Sequence, residues 1–149
     1  MVLLSHTNSI GTIFGGVLMS WIDIVAAICA QRYAGRIAVT ASVDALNFLS
    51  PARVGDTVTL RAQVVYTGKT SMMISVDVDA ENPLKRDKRR CVTALLTFVA
   101  VDEKMKPTLV PPLTLTTDEE KQVFDWASER RRILLDQMRK RSGSPRKPA

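Results

Sequence analysis

Residues 8–30 read NSIGTIFGGVLMSWIDIVAAICA, and from Val17 onward only Ser20 and Asp23 interrupt an apolar run. Gly15 and Gly16 give the turn into that run a backbone that no side chain obstructs. Residues 17–30 suffice for about four helical turns. A helix that is apolar on every side is buried, in a core or in a membrane. This run is shorter than the roughly 20 residues of a bilayer span and carries a carboxylate near its middle, so the expectation is a buried core helix.

At about 100° per residue, Gly16, Ser20, Asp23 and Ala27 fall on one stripe, the smallest and most polar side of the helix. The unpaired amides of the first turn point outward beside Gly16, with Asp23 about 10 Å further along the same side. Donors for an anionic oxygen and a carboxylate are thereby aligned. The plainer alternative is an Asp23 that is only hydrogen-bonded in the core. Against it, a buried carboxylate without a partner is costly and usually has a task.

The whole chain of 149 residues fits one domain with a sizeable core. Its net charge of +6 is unevenly placed, since residues 1–81 hold five basic and six acidic side chains while Lys85, Arg86, Lys88, Arg89 and Arg90 crowd one segment opposed only by Asp87. No aromatic residue interleaves with these charges, which argues against a nucleic-acid platform. The segment is either a solvated hairpin loop or a phosphate-binding loop for a small anionic ligand. Cys29 and Cys91 form no disulfide framework and no metal-ligand spacing, so a reducing, cytoplasmic setting is expected. The start at Met1, Val2, Leu3 and Leu4 lacks the charged and apolar regions of a signal peptide, and no export or membrane signal is expected.

In chain order, residues 2–4 suit a short strand, and the lone histidine, His6, follows in a polar turn. Without partners it assembles no zinc site, and Cys29 inside an apolar helix is a poor nucleophile for it. Gly35 stops the helix. Strands are expected over 37–48, with Val39, Ala41, Val43 and Ala45 on one face and Thr40, Ser42, Asp44 and Leu46 on the other. Further strands follow over 57–67, 71–81 and 91–101. The last is the most apolar and so central, with the basic segment as the connection before it. One long helix followed by four strands predicts an α+β fold, a curved antiparallel sheet wrapped around the helix. Residues 1–110 form the domain. Residues 111–141 form a linker and a charged helix that starts at a Thr117 to Glu120 capping box and carries Val123, Ala127, Leu134 and Met138 on one stripe. Composition predicts disorder from Arg139, and the residues 142–149 are assigned to a disordered tail.

Several motifs in this order resemble the hotdog-fold acyl-CoA thioesterases: Asn8-x-x-Gly11-x-x-Phe14-Gly15-Gly16 with Asp23 beyond it, Val39-Thr40-Ala41-Ser42-Val43-Asp44, Asn47-Phe48-Leu49-Ser50-Pro51, Val54-Gly55-Asp56, Thr67-Gly68-Lys69-Thr70-Ser71-Met72 and Thr97-Phe98-Val99-Ala100-Val101-Asp102. The likeness is to the branch of short bacterial and brain-type cytosolic acyl-CoA hydrolases and covers residues 2–110. It implies hydrolysis of acyl-coenzyme A at sites between paired subunits. Asp23 is then general base or nucleophile, Asn8 from the other subunit orients water or thioester, and the Gly16 amide receives the oxyanion with Gly15 beside it. Lys69, Thr70 and Ser71 match a loop that meets coenzyme A, and Arg89 and Arg90 are placed to meet its phosphates. The resemblance implies no cofactor beyond the coenzyme A of the substrate, no metal, and a homo-oligomer, a dimer at least and a trimer of dimers by family habit. No nucleic acid and no membrane partner is implied. Where relatives often carry an acid before the asparagine, this chain has Ser5, His6 and Thr7. Two other classes compete: a hotdog dehydratase, which needs an acid–histidine pair and has only His6, and a non-catalytic acyl-CoA or nucleotide sensor.

Overall fold

The computed structural model describes residues 1–143. They form a 3-10 turn at Leu4–His6, helix α1 at Gly15–Ala34, strands β1 at Ala38–Phe48, β2 at Thr57–Thr67, β3 at Ser71–Asn82 and β4 at Asp87–Ala100, and helix α2 at Asp118–Ser142. The strands make one antiparallel sheet in the order β1-β4-β3-β2, with the most apolar strand inside it as expected. Residues 2–4 are not a strand. The Val2 amide donates to the Asp56 carbonyl at 2.8 Å and its carbonyl accepts from Gly55 at 3.0 Å, so the N-terminus pairs with a turn and leaves the sheet edges alone.

Every fourth residue of α1, Leu18, Ile22, Ala26, Ala30 and Ala34, is buried. That row packs on Met72, Ile74, Val76 and Val78 of β3 and on Val92, Ala94, Leu96 and Phe98 of β4. Each large side chain so buried contributes about 1.5–3 kcal/mol. The expectation of burial on all sides is corrected here, because one sheet face covers one helix face and leaves Met19 (44%), Ile24 (57%) and Ile28 (44%) exposed in the single chain. The 20-residue α1 also exceeds the apolar run and is, by length and composition alone, long enough to cross a membrane.

Helix α2 lies on the opposite face of the sheet. Ala127 is buried with Val65, Met73 and Leu95, Leu134 packs beside them, and Phe124 meets Tyr66 at 5.2 Å between ring centres. Val123 and Met138 of the expected stripe stay exposed. Its start is the expected capping box: Thr117 Oγ1 accepts from the Glu120 amide at 3.1 Å, and Glu120 Oε2 accepts from the Thr117 amide at 3.1 Å. The helix continues past Arg139, where composition predicts disorder, because Arg139, Lys140 and Arg141 in the last turn suit its negative end. Residues 144–149 of the expected tail lie outside the described residues.

Two strands differ from their period-two reading. Strand β4 begins at Asp87, so Lys88, Arg89 and Arg90 belong to the ladder opposite Glu81, Ala80 and Asp79, not to the connection. Strand β1 carries register shifts between Thr40 and Ser42 and between Val43 and Ala45. Each bulge flips the alternation. Thr40 therefore stands opposite Phe98 on the helix-facing side, while Ser42 stands opposite Thr97 on the other.

Candidate active site

Asn8 organises its own loop. Its Oδ1 accepts from the amides of Ile10 at 3.1 Å and Thr12 at 3.2 Å, and its Nδ2 donates to Thr12 Oγ1 at 2.9 Å. An asparagine closing on backbone two residues ahead is a favoured turn device, and Gly11 at φ +76° completes it. The loop docks on the chain after β1 through Ile13, whose amide donates to the Ala52 carbonyl at 2.8 Å.

The loop delivers the chain into α1 at Phe14, which offers no side-chain cap. The Phe14 carbonyl accepts from Val17 at 3.0 Å and Leu18 at 3.3 Å. Among the described residues the Gly15 and Gly16 amides have no such acceptor, and a helix start with open amides attracts an anionic oxygen. A Cβ on Gly16 would lie 2.5 Å from the Phe14 ring, so any side chain there forces the ring to move.

Asp23 lies two turns further along and is exposed in the single chain. Its Oδ1 accepts from Thr40 Oγ1 at 2.7 Å. Ser20, on the same stripe, turns back to donate to the Val17 carbonyl at 2.7 Å and leaves Asp23 alone. The period-two pattern did not single out Thr40 as a site residue. The available signal was a hydroxyl on the strand that follows a helix with one acid. The expectation of a buried Asp23 is likewise corrected, since it stands on the flank of α1 beside the edge strand β1, where it stays exposed in the single chain.

Other sequence candidates are dispersed. Lys69, Thr70 and Ser71 form the β2–β3 hairpin, held by Gly68 donating to the Ser71 carbonyl at 2.8 Å and Ala100 donating to the Thr70 carbonyl at 3.0 Å. That hairpin stands at the end of the sheet where β4 finishes. Arg89 and Arg90 stand where β4 starts, close to the Asn8 loop, and both are engaged internally. Arg89 pairs with the buried Asp56 and donates from Nε to the Pro51 carbonyl at 3.0 Å. Arg90 reaches Asp79 at 2.6 Å and Asp77 at 2.8 Å, and Arg61 pairs with the same Asp79. The Arg90 hydrogen bond, then the Arg90 charge and Arg61, hold the Asp79 carboxyl below the usual carboxylate range against the opposing effect of burial.

His6 has no carboxylate partner among the described residues: Nδ1 accepts from the Leu3 amide at 3.2 Å and the ring meets Trp21 edge-on at 5.2 Å. Cys29 is half-buried, and that burial pushes its thiol above the usual range. Neither supports an acid–histidine or Cys-His pair. No group of three potential metal ligands occurs among the described residues.

A family model described as the thioesterase superfamily matches residues 10–86. The chain is 40% identical over 124 residues to the uncharacterized acyl-CoA thioester hydrolase YkhA of Bacillus subtilis, covering 83% of this chain and 72% of that protein. It superimposes on a hexameric acyl-CoA thioesterase without ligand at a TM-score of 0.87 and 39% identity, over 97% of this chain and 90% of the other. An acyl-CoA hydrolase of Staphylococcus aureus, in complex with butyryl coenzyme A, coenzyme A and coenzyme A disulfide, matches at a TM-score of 0.82 and 36% identity, over 97% and 92%. Alanine variants of that hydrolase have been solved at an asparagine, an aspartate and a threonine spaced along its chain as Asn8, Asp23 and Thr40 are here.

Proposed function

The chain belongs to the thioesterase superfamily, and from that membership we propose that this thioester hydrolase acts on acyl-coenzyme A, releasing a free acid and coenzyme A. The observation that carries the reading is Asp23, an open carboxylate whose Oδ1 is held by Thr40 on the same chain as a helix start with two open amides. The thioester carbonyl oxygen sits at the Gly15 and Gly16 amides, which gain most as that oxygen becomes an oxyanion. Thr40 leaves Asp23 Oδ2 for the reacting partner. As general base, Oδ2 takes a proton from water as its oxygen bonds to the acyl carbon. As nucleophile, it bonds to that carbon itself and water later releases the acid. In both routes the carbon–sulfur bond breaks and the coenzyme A thiolate leaves to take up a proton.

Asn8 comes from a second copy in this proposal. Two observations support that: α1 leaves Met19, Ile24 and Ile28 exposed in the single chain, and the solved relatives include a hexamer. The assembly proposed is a dimer that associates further, as a trimer of dimers. Lys69, Thr70 and Ser71 meet coenzyme A at the edge of the site. Arg89 and Arg90, already neutralised by Asp56, Asp77 and Asp79, add only their remaining N–H groups. Thiol release measured with acetyl-, octanoyl- and palmitoyl-coenzyme A tests the reading and sets the chain-length preference. Tight binding of all three without release would instead favour a non-catalytic acyl-CoA binding protein.

A further inference from the structure

Beyond the reacting groups, the doubly bulged part of β1 contains a carboxylate that the mechanism does not use. Asp44 occupies the second bulge, between Val43 opposite Leu96 and Ala45 opposite Leu95. Its Oδ1 accepts from Ser42 Oγ at 2.6 Å, the first residue after the other bulge. Its Oδ2 accepts from the hydroxyl of Thr97, a fully buried residue of β4. Its carbonyl accepts from Arg130 of α2 at 3.3 Å. The carboxylate thus spans both irregularities and ties the segment to the central strand where the regular ladder is interrupted. Thr40 is the last residue in register before the first bulge, and its hydroxyl is the one that holds Asp23.

We propose that Asp44 is a positioning residue for hydrolysis, clamping residues 41–44 through Ser42 and Thr97 so that Thr40 is aimed at Asp23. A bulge bends its strand and re-aims neighbouring side chains. Two register shifts three residues apart interrupt the regular pairing of that segment with β4, and the Asp44 clasp spans them on the outer sheet face. Asp44 touches no reacting atom, so its influence passes through Thr40.

This inference rests on the catalytic reading of Asp23 and Thr40, and the test separates the two. Turnover of acyl-coenzyme A is measured for wild type, Asp44→Asn, Thr40→Ala and the double variant, with thermal melts of each. Asp44→Asn keeps the size of the side chain but loses one acceptor. Its kcat falls about tenfold with KM changed less than about twofold, the pattern of an interaction that matters only in the transition state. In the Thr40→Ala background the same substitution has almost no further effect on kcat. An equal fall in both backgrounds overturns the proposal, because a purely structural role does not pass through Thr40. Thr97→Val serves as the second variant should Asp44→Asn fold poorly. Crystal structures add a readout that does not depend on activity: if Thr40 Oγ1 stays 2.7 Å from Asp23 Oδ1 without the Asp44 clasp, Asp44 does not aim it. An inactive wild type that nevertheless loses the Thr40 contact in Asp44→Asn refutes the catalytic reading and leaves the positioning role standing.

Discussion

Asp23 and Asp79 carry the same carboxyl group into opposite settings. Asp23 is exposed on the flank of α1 beside β1 with one neutral donor, Thr40, while Asp79 is 5% exposed and enclosed by Arg61, Arg90 and Lys88. Asp56, at 2% exposure, is closed in the same way by Arg89 and by the Arg53 amide at 2.8 Å. An enclosed carboxylate has no lone pair left for a substrate, and losing its partner leaves a buried charge uncompensated. An open one contributes little to folding and keeps its lone pairs for chemistry. The charges that look most like a ligand site, at residues 85–90, are partly consumed by the fold, and the single acid inside an apolar run keeps an oxygen open.

The largest expected effect is at the open carboxylate. Asp23→Asn lowers kcat by about 10³-fold or more while the melting curve stays near wild type, since a surface carboxylate with one neutral donor is worth less than about 1 kcal/mol. A steady-state assay beside a thermal melt checks both halves, and an unfolded variant would make Asp23 a structural residue. The mirror result is expected at the closed pair. Arg89→Ala destabilises the chain by about 3–5 kcal/mol, measured by urea unfolding, and leaves KM for acyl-coenzyme A nearly unchanged in the folded fraction. A higher KM with normal stability would turn Arg89 into a ligand residue.

Acid sharpens the same contrast. The folded-state pKa of Asp79 is lowered, first by the Arg90 hydrogen bond, so the group favours the native state above the ordinary carboxylate pKa. That contribution is lost as pH falls through and below the usual carboxylate range. Asp79→Asn should therefore flatten the acid limb of the stability profile, seen in urea midpoints taken between neutral pH and pH about 3. A parallel acid limb in the variant would assign the loss to other carboxylates. The smallest effect belongs to the α2 cap, where the Thr116 and Thr117 amides hold Glu120 below the usual range. Glu120→Gln keeps the acceptor and should lower Tm by no more than about 2–4 °C with turnover unchanged.

The legible parts of the fold were those with strong local signals. Residues 57–67 bound β2 at the positions the turn residues predict, and Thr117 with Glu120 starts α2 where the capping spacing predicts. Asp23 was legible because a lone acid in an apolar run is conspicuous. Its exposure was not, because Met19, Ile24 and Ile28 are as apolar as the residues beneath them and hide the two-sidedness of α1. Thr40 escaped because bulges depend on the pairing with β4, and the local sequence of β1 carries no mark of them. Arg89 and Arg90 looked free for the same reason: Asp56 and Asp79 lie far away in sequence and next to them across the sheet.

The claim that joins these readings is that one chain leaves Asp23 open because a second copy completes the site with Asn8. Mixing Asn8→Ala with Asp23→Asn protein after dissociation and reassembly tests it directly, with subunit exchange verified by mass spectrometry of differently tagged chains. Each variant alone should be nearly inactive. With random pairing about half the dimers are mixed, each holding one site with both residues and one with neither, so about a quarter of all sites should regain wild-type turnover. Complete exchange with activity still at the level of the separate variants would contradict the shared site.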